Sequence, residues 1–431
     1  MLKHTTRILI AGGLGNFIEA FDMSLCGLLS VYIASSLIDS SVKSLLFIFS
    51  TFFLGYLSRP LGAITLGLYS DKCGRNLILA ISITGMGLST TLIGLIPSYQ
   101  LIGDNAMIIL LLLRIIQSFS CGAEYLNSSA YLVENAPMSH KGYIGSWAAF
   151  GSMAGLLLAE LTSLLVSYAT ELNPLNQHIY WRLPFILALV GSSIGLYVRL
   201  RIPKSMEYIV YYANKSKPTL KQLLLQSLTH INQNKKDCFY AILVSSLGVT
   251  TTFQFYIYAL TQKHLSGTVT DHQLILSTIF SLVVLLAFFP LFGKLSDKIS
   301  RETLVIVSSL SFLCLSPIFF YLLSYGSFTE LLLVQAIIAI PASAYYAVVP
   351  VMLAEMFPLT LRCTVLSLLY SIAASLSAGL SPLLSLLLMH HLHHAMAPSV
   401  LTFILVLLVL GITFWKKHKS TQSSYAQSSA F

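Results

Sequence analysis

The sequence predicts an all-α membrane protein: twelve transmembrane helices in two pseudo-symmetric six-helix bundles. Three observations lead there. The 431 residues are 56% hydrophobic and only 10% charged, with mean hydropathy +0.79. A soluble domain carries about 25% charged residues, so polar surface is too scarce here and lipid must be the main solvent. Apolar segments long enough to cross a bilayer fall at 8–37, 43–70, 76–97, 105–134, 141–169, 181–201, 237–262, 272–294, 302–325, 329–356, 362–390 and 397–415. A charged turn between two of these segments occurs twice, about half a chain apart. Gly67, Asp71, Lys72 and Arg75 return at the same offsets as Gly293, Asp297, Lys298 and Arg301, a shift of 226 residues. Independently, Glu134, Pro137 and Lys141 return as Glu355, Pro358 and Arg362, a shift of 221. Two motifs repeated in order and nearly in register mark a duplicated unit. Apolar helices in two such halves are the layout of a transporter built from parallel repeats.

Each element has its own justification. The first span is too long and too polar at its centre for a cleaved signal peptide, so it stays in the protein. It carries Glu19 and Asp22, three residues apart and therefore on one helix face. The second span carries Arg59 and ends in the first charged turn. The fourth carries Arg114, Gln117, Ser118, Cys121, Glu124, Tyr125 and Ser128, and steps of three and four make these one polar stripe. In the fifth, Gly142, Gly145, Gly151 and Gly155 permit close helix approach. Residues 202–236 are basic and polar, contain Pro203 and Pro218, and link the halves; an amphipathic stretch near 220–231 is expected along the membrane surface. The seventh span gathers Phe253, Gln254, Phe255, Tyr256 and Tyr258, and the tenth Tyr345 and Tyr346, as one wall of a cavity for a small polar solute or as plain helix packing. His390, His391, His393 and His394 end the eleventh span without a nearby carboxylate or Cys, and a solvated loop rather than a metal site is expected. The expected division is an N-terminal six-helix bundle over 1–201, a cytoplasmic linker over 202–236, a C-terminal six-helix bundle over 237–416 and a disordered cytoplasmic tail over 417–431.

The net charge of +9 does not mark a nucleic-acid binder, because its placement follows the spans. Of the 25 Lys and Arg, 20 lie in the even-numbered loops and the two tails. Lys43, Arg182 and Lys263 lie on the opposite side, and Arg59 and Arg114 lie inside spans. That asymmetry is the positive-inside pattern and places both termini in the cytoplasm. The six cysteines stand singly, with no paired or metal-binding spacing, and read as packing residues.

Charges at membrane depth cost about 2.5–3.5 kcal/mol at mid-helix and mark function by default. Glu19, Asp22, Arg59, Arg114 and Glu124 qualify. Asp22, Glu19 and Glu124 are the candidate proton carriers, since burial disfavours an ionised carboxylate and a neighbouring cation favours it. Arg114 and Arg59, with Gln117, Tyr125, Gln254, Tyr256 and Tyr345, are the candidate substrate contacts, and the two arginines suit an anionic group. Asp71, Lys72, Arg75, Glu134, Asp297, Lys298, Arg301, Glu355 and Arg362 are candidate gating residues. Carboxylate–base pairs at cytoplasmic span ends can bias rocking between inward-open and outward-open states. Clustered nucleophile and base, or metal ligands, are missing, which weighs against an intramembrane enzyme. A receptor or sensor would need an extra soluble domain, which is not expected at either terminus.

The two charged turns resemble the cytoplasmic signature of the major facilitator superfamily. More narrowly, Gly15-Asn16-Phe17-Ile18-Glu19-Ala20-Phe21-Asp22 is similar to the first-span motif of the metabolite:proton symporters. Arg59-Pro60-Leu61-Gly62, Ile93 to Tyr99, Gly122-Ala123-Glu124-Tyr125 and Trp181-Arg182-Leu183-Pro184-Phe185 extend the likeness. It is dense over 12–205 and thins to the second turn and Ala354–Arg362. It implies a monomeric twelve-span porter of a bacterial inner membrane that imports a small polar metabolite with protons. The solute would be an organic acid such as α-ketoglutarate or citrate, or a zwitterion such as proline or betaine. The proton is the coupling ion and no other cofactor is implied; the lipid bilayer and the solute are the partners. Export or exchange of a related solute is the alternative. The chain departs from the family at Ala20, where Trp is usual, and at Asn76, where a base is usual. No proline follows Gly151 or Gly155 in the antiporter manner, which favours symport. The tail lacks the coiled coil of osmosensing betaine porters, so osmotic regulation is not expected.

Overall fold

The computed structural model describes residues 2–38, 50–51, 53–201, 209–210, 217–259 and 269–428. The start of the second expected span, much of the linker and the end of the seventh span lie outside them. The first span is two helices, α1 (Leu2–Leu28) and α2 (Ser30–Leu37), bent by 58° at Leu29. Helical residues 53–57 lead into α3 (Arg59–Cys73), followed by α4 (Arg75–Gly94). The fourth span is α5 (Asn105–Cys121) and α6 (Glu124–Glu134), broken at Gly122 and Ala123. Then come α7 (Lys141–Leu172) and α8 (Arg182–Leu200). After the linker helix α9 (Leu220–Gln233), α10 (Lys235–Thr252) runs into a π-helical turn, Phe253–Tyr258. The second half continues as α11 (Asp271–Leu295), α12 (Arg301–Tyr325), α13 (Phe328–Met356), α14 (Arg362–Leu392) and α15 (Ser399–Ser428).

Among the described residues ten helices are long and apolar enough to cross a membrane, and the bent first pair makes an eleventh. α3 with residues 53–57 is the described part of the second span, so the count agrees with the twelve expected. All backbone polar groups must be satisfied within the chain in lipid, which is why the segments are helical throughout.

Local chemistry sets the boundaries. Gly74 takes φ +96° between α3 and α4, a conformation that excludes most side chains. Thr219 and Gln222, Thr270 and Gln273, and Ser327 and Glu330 form reciprocal capping boxes at the starts of α9, α11 and α13. As expected from its pattern, α9 is amphipathic: Leu223 is buried and Leu220, Leu224 and Ile231 pack beside it, while Lys221, Gln222 and Gln226 are exposed. The last helix, α15, runs on to Ser428. No Gly or Pro interrupts 416–428, so nothing in the sequence stops the helix. His390 and His391 form the last turn of α14, which ends with His393 in the left-handed region. No metal-holding group of His, Cys, Asp and Glu occurs among the described residues.

The first half packs α1 on α7 and α4 on α5 and α8; the second packs α13 on α11 and α12, and α10 on α14. The halves meet along two seams, α3 with α14 and α7 with α11. The α7/α11 seam is antiparallel with one register over its length: Gly142 faces Asp297, Ser146 faces Gly293, Phe150 packs on Phe289, and Ser167 reaches His272. The glycine opening each charged turn serves this approach. A Cβ on Gly67 would lie 2.8 Å from Thr364 Cα, and one on Gly293 would lie 2.5 Å from Ser146 Oγ. Gly151 and Gly155 instead seat α7 against the carbonyls of Gly13 and Phe17 in α1, as the packing reading expects.

Candidate functional site

Between the halves lies a chamber of about 170 Å³. The first half supplies all its charged walls: Glu19 from α1, Arg59 from α3 and Arg114 from α5. Arg59 Nη2 donates to Glu19 Oε1 at 2.5 Å, both groups being buried. Arg59 also stands 5.9 Å from the Tyr56 ring and 5.6 Å from the Tyr370 ring, within cation–π range. The second half supplies an uncharged wall of Phe253, Tyr345, Tyr346 and Tyr370. Tyr370 stacks on Tyr125 across the chamber, with ring centroids 4.9 Å apart. Pro350 and Pro382 also face the chamber. Each deletes a backbone donor from its helix, so the carbonyl one turn earlier loses its partner.

Arg114 is held from behind. Its Nη1 donates to Gln117 Oε1 at 2.6 Å, and Gln117 Nε2 donates in turn to Thr90 Oγ1 at 2.7 Å and to the Asp22 carbonyl at 3.3 Å. Gln117 is therefore a support for Arg114 and does not line the chamber. Asp22 is fully buried on the α4 side, beside Thr90, and is likewise not a wall residue. Glu124 also lies behind the wall, where Arg199 Nη2 donates to it at 2.6 Å and to Ser128 at 2.8 Å. Gly15 leaves room for that pair: a Cβ there would lie 1.8 Å from Arg199 Nη2. Gln254 is spent inside the second half on Thr402, Pro398 and Ser385. Tyr256 is buried there too, with its hydroxyl 3.3 Å from Ser281. Of the expected substrate contacts, Arg59, Arg114, Tyr125 and Tyr345 face the chamber; Gln117, Gln254 and Tyr256 do not.

Several site residues were not anticipated. Tyr56 and Tyr370 complete the aromatic surround, but a lone aromatic in an apolar span carries no signal of its facing. Arg199 sits at a span end, where a base is expected to meet water, yet it is 1% exposed. Glu160 is buried in α7 and lies at membrane depth by sequence alone, so its position could have found it.

The charged turns close one end of the molecule, by a different contact from the one expected. The carboxylate of Asp71 accepts from Cys363 N (3.2 Å), Thr364 N (2.8 Å) and Thr364 Oγ1 (2.6 Å) at the start of α14. Asp297 accepts from Gly142 N (2.6 Å) and Tyr143 N (3.1 Å) at the start of α7. Each aspartate thus caps a helix of the opposite half, where free N–H groups and the helix dipole favour an anion. The basic groups go to the glutamates. Glu134 pairs with Arg75 and, across the halves, with Arg362 at 2.8 Å; Glu355 pairs with Arg301 within the second half. Lys298 is exposed at its turn, and Lys72 is half-buried.

Two family models cover the chain in succession: "Sugar (and other) transporter" over residues 30–239 and "Major Facilitator Superfamily" over 238–429. The proline/betaine transporter of Salmonella typhimurium is 31% identical over 382 residues, spanning 85% of this chain and 74% of that protein. The glycine betaine/proline/ectoine/pipecolic acid transporter OusA of Dickeya dadantii is 29% identical over 380 residues, with the same two spans. The solved structure of the proton:xylose symporter XylE bound to 6-bromo-6-deoxy-D-glucose aligns with TM-score 0.76 at 18% identity, covering 96% of each chain, a likeness of fold.

Proposed function

The chain belongs to the major facilitator superfamily of membrane transporters, and we propose that it imports a small carboxylate-bearing solute, coupled to protons, by alternating access. The observation that carries this reading is the Glu19–Arg59 pair facing a chamber whose opposite wall is aromatic and uncharged. A solute carboxylate entering the chamber competes with Glu19 for Arg59. Released from its cation, Glu19 takes up a proton, so solute and proton bind together. Arg114, fixed by Gln117, adds positive potential for the same anionic group. The tyrosines suit the other end of a zwitterion, since an alkylated ammonium is attracted by ring faces. The names of the relatives make proline and glycine betaine the first solutes to try, with α-ketoglutarate as the organic-acid comparison. Asp22, buried behind Arg114, is the second candidate carrier.

The setting proposed is a bacterial inner membrane, with a monomeric chain and both termini in the cytoplasm. The end closed by Asp71 and Asp297 is then the cytoplasmic end. Uptake into proteoliposomes under an imposed pH gradient tests the mechanism. The wild type is expected to accumulate one of these solutes when the outside is acid. Glu19→Gln is expected to keep exchange of labelled for unlabelled solute but to lose accumulation. Wild-type-like accumulation by Glu19→Gln would remove the coupling role; wild-type transport indifferent to the gradient would remove symport.

A further inference from the structure

One of the buried acids outside the chamber lies on the seam between the halves. Glu160 lies on α7 one turn beyond Leu156, which lines the chamber, and both residues face the same way. The α7/α11 register puts it opposite residue 279, and the adjacent Thr278 stands beside it. It is 0% exposed, and neither carboxylate oxygen receives a hydrogen bond. The seam is closed on both sides of it. Toward the charged turns, Phe150 packs on Phe289 and Asp297 caps α7. Toward the far end, His272 is 3.1 Å from Ser167 Oγ and 3.2 Å from Glu171 Oε1, and its ring lies 4.1 Å from that of Tyr168.

Most charged and titratable groups of the surrounding helices are engaged elsewhere. On α1, Glu19 is held by Arg59, while Asp22 is buried beside Thr90 with no hydrogen bond to its own carboxylate; on α6, Glu124 is held by Arg199. On α11, His272 is held by Glu171. On α13, Tyr345 donates to Val244 O and Tyr346 meets Thr251. The Thr278 hydroxyl donates to Ile275 O at 2.8 Å, and in that orientation it presents a lone pair to Glu160. Such neighbours give an ionised carboxylate neither a cation nor a solvent to replace the water it has lost. A carboxylic acid would instead donate its own proton to Thr278 Oγ1.

From this geometry we infer that Glu160 is a proton-binding site on the seam between the halves, filled while the seam is closed. Parting of the far end admits water to the carboxyl and lets the proton leave, so closure of that end is linked to proton binding from the side it faces. The inference takes its purpose from the transport reading above, but its test does not depend on it.

Difference infrared spectroscopy of the full-length protein in lipid nanodiscs reads the protonation state directly. At neutral pH, the wild-type spectrum is expected to contain the C=O stretch of a protonated carboxylic acid that Glu160→Gln lacks. Thr278→Val, which keeps the shape but removes the acceptor, is expected to move that band to higher frequency. A wild-type-minus-Glu160→Gln difference holding only ionised-carboxylate bands would overturn the site. So would an unmoved band in Thr278→Val, a readout that survives if Glu160→Gln does not fold. A wild type that carries no solute with protons would sink the symport reading and leave this band in place, so the two fail separately.

Discussion

Arg199 shows what residue-scale reading can and cannot reach. Glu19, Arg59 and Arg114 were legible because an ionisable group deep in an apolar run has few structural excuses. Arg199 was hidden by its place at a span end, where most bases meet water. The pair it makes with Glu124 is buried on both sides. Removing one member leaves the other charge without its partner, at a cost of about 3–5 kcal/mol. Arg199→Leu is therefore expected to lower the thermal stability of the purified protein sharply. The double variant Glu124→Leu/Arg199→Leu should recover most of the loss. A single variant as stable as the wild type would mean that the pair does not hold α6 to α8.

At the scale of elements, the segments and their repeat could be read from sequence, but the faces they present could not. Five residues from Phe253 to Tyr258 were aromatic or amide candidates for one wall, yet only Phe253 reaches the chamber. The others pack inward: Phe255 on Phe312 and Phe319, Tyr258 on Phe320. The π-helical turn alters the angular step between residues there, and no local signal announces it. The paired aspartates were found for the right reason, their repetition, but their partners are main-chain donors of another helix. Such a contact depends on two elements distant in sequence. Hydrogen bonds to a charged group contribute about 1.5–3 kcal/mol each. Asp71→Asn is accordingly expected to raise the labelling rate of Cys363 by roughly tenfold or more, because 1.4 kcal/mol is a factor of ten in an equilibrium. A thiol reagent applied to a variant retaining Cys363 alone gives the measurement, and an unchanged rate would deny Asp71 its closing role.

For the whole molecule, the six-plus-six division was plain from the shifts of 226 and 221 residues. The pairing of the halves along α3/α14 and α7/α11 was not, because every span is apolar on several sides and only packing chooses among them. The seam register yields a direct test of motion. A Cβ on Gly293 would lie 3.3 Å from Ser146 Cβ, a few tenths of an ångström short of the range of disulfides and within a small adjustment of it. Ser146→Cys/Gly293→Cys is expected to cross-link under oxidation and to stop transport, with recovery on reduction. Undiminished transport by the oxidised pair would mean that the halves need not separate there.

The cross-half clasps differ from ordinary ion pairs in what inheritance can alter. On the receiving side the donors of Gly142, Tyr143 and Cys363 belong to the main chain, and every amino acid except one brings the same N–H. Drift in those side chains leaves the hold intact, provided the close approach at Gly142 is respected. Proline alone withdraws the donor, and the first turn of a helix is where proline does least other harm. Vulnerability is thus concentrated in the two aspartates and in Thr364, whose hydroxyl is the one side-chain donor described in these clasps, and a lineage can vary the other positions of the opposing helix starts without learning a new way to shut.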